Sequence, residues 1–172
     1  MVAALVLATV MTVADSSTPD RHVRSNDGRI LVLIERGVAR SATFRRLLDA
    51  LDTSDVIVYV ERKTMREALE GYLPHHITVA GATRYIHVKV DTRGAEIRAI
   101  AIIAHELQHA VEVARAPDVR DDQSLTLMFE RVNFKFGCAG GCFETKAAID
   151  VEYGVIAELK ATRAPSMMAS RR

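Results

Sequence analysis

Between Gly94 and Pro117 lies the feature that most narrows the possible folds. Residues 95–114 carry helical periodicity, and around their middle almost every side chain is uncharged. Ile102, Ile103, Ala104, Leu107, Gln108, Ala110 and Val111 enclose His105, Glu106 and His109. A helix that is apolar around most of its circumference is buried, so the rest of the chain must wrap it. Burial also demands partners for the imidazoles and the carboxylate, because an unpaired polar group is costly to take out of water.

Around that helix the pattern is α+β, with a small antiparallel or mixed sheet. Residues 41–51 place Phe44, Leu47, Leu48 and Leu51 at helical spacing. Residues 55–61 are β-branched and aromatic, the composition of a buried strand, and 30–34 form a short apolar run read as another strand. Residues 64–70 suit a short helix ended by Gly71. Residues 76–80 and 84–90, joined by Gly81-Ala82-Thr83, read as a hairpin preceding the long helix. Its second strand sets Tyr85, His87 and Lys89 on one face and Ile86, Val88 and Val90 on the other. A weaker helix over 121–131 offers Leu125, Leu127, Met128 and Val132 to the core, and a last helix spans 143–161. The domain is expected over 37–163, with a polar arm and short strand over 15–36 and a flexible tail over 164–172.

A chain of 172 residues can bury a single core without staples. Its net charge of +1, with no dense Lys/Arg run, argues against nucleic acid as a partner. Residues 1–14 hold no charged side chain; they are too short for a stable membrane span and suit a signal peptide, with Thr12-Val13-Ala14 as a small-x-small cleavage site. No Lys or Arg precedes that run. Export, to a periplasmic or extracellular setting, is the expectation. In such a setting Cys138 and Cys142, in Cys-Ala-Gly-Gly-Cys, are expected to form a disulfide. The rival reading as half of a zinc site lacks a second ligand pair.

His105-Glu106-Leu107-Gln108-His109 is the HExxH pattern on a helix. At about 3.6 residues per turn, positions i and i+4 share a face, so both imidazoles can reach one Zn²⁺ from a rigid support. Glu106, offset by one residue, stands beside the metal, where a carboxylate can act as general base. Catalytic zinc sites keep three protein ligands, and the motif supplies two. The extended metzincin pattern requires Gly at 112 and His at 115; the chain has Glu112 and Arg115, which excludes that branch. The last helix offers Glu144, Asp150 and Glu152. Glu144 is the first choice because Ala147, Ala148, Val151, Val155 and Leu159 follow it at steps of three and four, which would place it at the head of an inward stripe. Glu152 has apolar neighbours and competes; Asp150 lies in Asp-Val-Glu-Tyr-Gly, similar to the Asp-x-x-Tyr-Gly of aspzincins, although Ala147-Ala148 replace the Gly-Thr expected there. The oxyanion donor is open among Tyr153, Arg120, Arg131 and His87, with Tyr153 preferred.

With Glu144-Thr145-Lys146-Ala147 on a later helix (ExxA), this motif resembles the gluzincin metallopeptidases, in their compact minigluzincin form, over about residues 50–160. The resemblance implies a zincin-like fold, zinc held by His105, His109 and Glu144, Glu106 as general base, and a peptide or protein substrate lying along the strand 84–90. Ala148 departs from the family, many of whose members carry Asp or Asn there, so support for the histidines is unassigned. The alternative is a non-catalytic zincin-fold binding module in which zinc is a structural staple.

Overall fold

The computed structural model describes residues 21–65, 69–132 and 143–162. Their order is β1 (Val23–Arg24), α1 (Gly28–Arg40), α2 (Ala42–Asp52), β2 (Val56–Arg62), β3 (Gly71–Tyr72), β4 (Ile77–Ala80), β5 (Thr83–Val90), α3 (Glu96–Ala114), α4 (Asp122–Val132) and α5 (Lys146–Ala161). This is a mixed α+β fold. The sheet is mixed as well: β1 and β5 flank β2 in parallel, while β3 and β4 both run antiparallel to β5.

The alternation in β5 does what its sequence requires. Ile86, Val88 and Val90 are fully buried, and Val58, Val60 and Arg62 of β2 lie in register beside them. Between β4 and β5 the turn is Gly81-Ala82, and Gly81 takes φ 60°, a left-handed conformation that favours glycine. α3 packs against the inner face of the sheet on one side and against α5 on the other. Every residue from Ala99 to Val111 is buried, as expected of a helix without a solvent face in its middle. Among the described residues no helix is long and apolar enough to cross a membrane.

Several sequence expectations are corrected. Residues 30–34 are helical, not a strand. Asp27 caps α1 by accepting from the amides of Arg29 (2.8 Å) and Ile30 (3.2 Å), and Ile30, Leu33, Ile34 and Gly37 form its buried stripe. Leu31 and Val32 are 43 % and 41 % exposed, so the run has a three-and-four period rather than a two. A boundary at residue 36 or 37 thus falls inside α1, whose residues belong to the common core. Residues 64–65 and 69–70 are not helical, and the centre of the expected helix, 66–68, lies outside the described residues. In α4 the buried pair is Leu125 and Phe129, one turn apart, while Leu127 and Val132 face outward. The strand 84–90 is no open rim, since β2 covers one edge and β4 and β3 the other.

Arg84 is the largest fully buried side chain. It grips the Asp55 carboxylate with Nε at 2.8 Å and Nη2 at 2.6 Å, and donates to the carbonyls of Val113, Ala114, Ala116 and Val119. The carbonyls of Val113 and Ala114 at the end of α3, and those of Ala116 and Val119 just beyond it, thus converge on one guanidinium.

Candidate metal centre

His105, Glu106 and His109 lie within the buried stretch of α3, each no more than 5 % exposed. The two rings meet edge to face, with centroids 5.0 Å apart. Each Nδ1 has a carboxylate beside it. His109 Nδ1 is 3.1 Å from Glu112 Oε2, and Glu112 is held by Thr145, whose hydroxyl donates at 2.7 Å, and by Gln108 at 3.4 Å. His105 Nδ1 is 3.1 Å from Glu152 Oε2, an ion-pair contact without hydrogen-bond geometry, and this Nδ1 is the buried polar atom without a hydrogen-bond partner among the described residues. In a neutral ring a carboxylate behind Nδ1 favours the proton there, so that Nε2 would be the nitrogen offered to a metal ion.

His105 Nε2 faces Glu144 Oε2 at 3.4 Å. Two donors on a tetrahedral zinc, each at about 2.0–2.1 Å, stand about 3.4 Å apart, so this pair is spaced as ligands of one ion would be. Among the described residues, however, no group of three or more His, Cys, Asp or Glu side chains is assembled to hold a metal. The donor chemistry, two imidazoles and a carboxylate, suits zinc. Glu144 does not begin the last helix as expected. It precedes the cap Thr145, whose hydroxyl accepts from Ala148 N at 3.1 Å, and helix α5 starts at Lys146. Ala147 is therefore outward, and the inward stripe runs through Ala148, Val155 and Leu159.

Electrostatics set the protonation states. Burial pushes the Glu106 carboxyl up to about 6, against the pull of the two imidazoles. Burial alone would lower His105, but the carboxylates of Glu144 and Glu152, with the charge of Glu106, raise it to about 10. Glu152 is held below the usual carboxylate range by His105 and by Arg98, against the cost of its burial.

The other candidates stand elsewhere. Asp150 pairs with Lys146 at 2.5 Å on the solvent side of α5, and Tyr153 is 66 % exposed. Arg120 donates to the Gly81 carbonyl at the hairpin turn, Arg131 is exposed on α4, and His87 pairs with Glu61 on the sheet face turned away from α3. His76 binds Asp122, and His75 stacks on Phe143, which continues through Phe129 to the edge of His109. Cys138 and Cys142, the segment 1–14 and the tail 164–172 lie outside the described residues.

Sequence reasoning missed Glu112, Arg98 and Gly71. Glu112 follows His109 by three residues and Arg98 precedes His105 by seven, so both share the histidine face of α3, a signal available from helical spacing. No family model, curated protein or solved structure matches the chain.

Proposed function

We propose that this chain is a zinc metallopeptidase of the gluzincin kind, with a zincin-like domain in which His105, His109 and Glu144 hold the metal and Glu106 is the general base. The observation that carries the reading is the 3.4 Å approach of His105 Nε2 to Glu144 Oε2 beside a buried Glu106. Zinc, when bound, polarises the scissile carbonyl and acidifies a water molecule. The chain's own groups do the rest. Glu106, ionised at neutral pH yet with a raised affinity for a proton, takes one at its carboxylate and returns it to the leaving amine. Glu112, hydrogen-bonded to His109 Nδ1, and Glu152, in ion-pair contact with His105 Nδ1, stand behind the two imidazole rings. β5 is paired on both sides; of the outer strands β1, β3 and β4, the one that lies against Glu106 is β3, so an extended peptide is expected to pair on that side of the sheet. Export of the enzyme rests on the uncharged segment 1–14.

A second reading, a zincin-fold module that binds without cleaving, is favoured by one observation. None of the four expected oxyanion donors contacts His105, Glu106 or His109 among the described residues. Metal analysis with peptide-library cleavage separates the two. Stoichiometric zinc retained in Glu106→Gln with cleavage abolished, and lost in Glu144→Ala, is the expected result. Equal, negligible cleavage by wild type and Glu106→Gln selects the binding module, and full zinc retention in Glu144→Ala removes it as a ligand.

A further inference from the structure

Arg98 touches neither histidine, yet its guanidinium joins three elements around one of them. It pairs with Glu152 Oε1 of α5, and it donates through Nε (2.8 Å) and Nη2 (2.5 Å) to Glu70 Oε2, in the segment leading into β3. Glu152 has a side chain only 13 % exposed and carries charge at both ends of its carboxylate: Arg98 at Oε1 and His105 Nδ1, 3.1 Å away, at Oε2. A carboxylate pinned at one oxygen presents the other in a defined direction, so the orientation of Glu152 toward the imidazole depends on Arg98.

We propose that Arg98 is a positioning residue for the metal centre, acting through Glu152 on the His105 ring. The inference rests on the reading of His105 as a metal ligand. It also answers the departure at Ala148. The support that an acid at that position would lend to a histidine comes instead from Glu152, one turn further along α5 on the face turned to His105. The arrangement is asymmetric. Glu112, behind His109, is fixed by a hydroxyl and an amide and owes nothing to Arg98. Disturbing Arg98 therefore affects one ligand of the set and spares the other. Only a planar fork can hold Glu152 and Glu70 together; a lysine at this position keeps the charge but reaches one carboxylate at a time.

The test uses the full chain, with zinc affinity measured by chelator competition, the visible spectrum of the cobalt-substituted protein, and the melting temperature of each metal-free variant. Arg98→Ala and Glu152→Gln are each expected to weaken zinc binding about 10- to 100-fold and to shift the cobalt bands, with stoichiometry unchanged. The double variant is expected to be no weaker than Glu152→Gln alone, because the two residues act in series. Arg98→Lys, a milder change should Arg98→Ala fail to fold, is expected to fall between wild type and Arg98→Ala. Wild-type affinity and spectrum in either Arg98 variant, or additive losses in the double variant, overturn the proposal while leaving the zinc reading standing. Failure of the wild-type chain to bind zinc overturns both.

Discussion

A β-carbon placed on Gly71 would lie 2.8 Å from Glu106 Oε1 and 2.6 Å from Ile102 Cγ2. Strand β3 thus rests directly on the buried carboxylate, and only a residue without a side chain allows that approach. Gly71→Ala must push the strand away or displace Glu106. Zinc content is expected to stay at the wild-type level while kcat/KM for a peptide substrate falls by about 100-fold, the cost of a misplacement near 1 Å. Unchanged kcat/KM would show that Glu106 is not seated by β3.

In the proposed zinc site, protonation of His105 opposes metal binding. In the metal-free chain its pKa is raised to about 10, so at neutral pH the ring is charged and must lose a proton before Nε2 can ligate. Zinc affinity is expected to rise about tenfold per pH unit up to that value, with close to one proton released by this ring. The sign for stability is the reverse. The ion pairs of charged His105 contribute fully below the unfolded value near 6.5 and are lost as pH rises through about 10. Calorimetric titration in buffers of different ionisation enthalpy checks this; absence of proton release at pH 8 contradicts it.

As the proposed general base, Glu106 must, by contrast, be ionised. Its carboxyl is raised to about 6 by burial, which favours the protonated form in the folded chain. The base is lost as pH falls, so kcat/KM is expected to drop tenfold per unit on an acid limb at or below about 6, since bound zinc can only lower the value. A Glu106→Gln variant that keeps both the activity and the acid limb would exclude Glu106 as the base.

Arg84 ties the start of β5 to the end of α3. Arg84→Met removes the partner of Asp55 and the donor to four carbonyls, and a loss of about 3 kcal/mol is expected, the low end for breaking a buried pair because Asp55 is itself 36 % exposed. The Arg84 hydrogen bonds hold the Asp55 carboxyl below its ordinary value despite partial burial. This part of the stability is present above the usual carboxylate range and lost as pH falls through the lowered value. Urea unfolding at pH 7 and pH 3 should show the wild-type advantage shrinking at the lower pH.

Gly37 faces the ring of Phe44 across the α1–α2 corner, where a β-carbon would lie 2.8 Å from Cδ2 and 2.9 Å from Cγ. Phe44 is fully buried and has nowhere to move. Gly37→Ala gains about 1 kcal/mol of helix propensity but forces overpacking of about 1–3 kcal/mol, so a lower urea midpoint is expected.

Local pattern carries a good part of this fold. The buried helix through His105, Glu106 and His109, the hairpin with its alternating faces, and the helix 41–51 follow from hydrophobic periods of 3.6 and 2. The strand expected at 30–34 shows the limit of a five-residue window, since Asp27 as a cap and Gly37 as the fourth buried position complete a helical stripe that the apolar run alone does not display.

The sequence by itself determined that two imidazoles and a carboxylate share one buried helix, because the i, i+4 relation is a property of the helix and needs no other element. Which acids meet them was decided by tertiary structure. Glu144 reaches His105 from the turn before α5, Glu152 stands behind the same ring, and Asp150 on the neighbouring turn faces solvent. Asp150 and Glu152 lie two residues apart on α5, and their fates diverge through the rotation of that helix about its own axis against α3, while Glu144 is placed by the turn that leads into it. That rotation is set by Ala148, Val155 and Leu159 finding the core, and by Glu158 binding Ser41 and Thr43 at the start of α2. Packing between elements so distant in the chain leaves no local pattern to read.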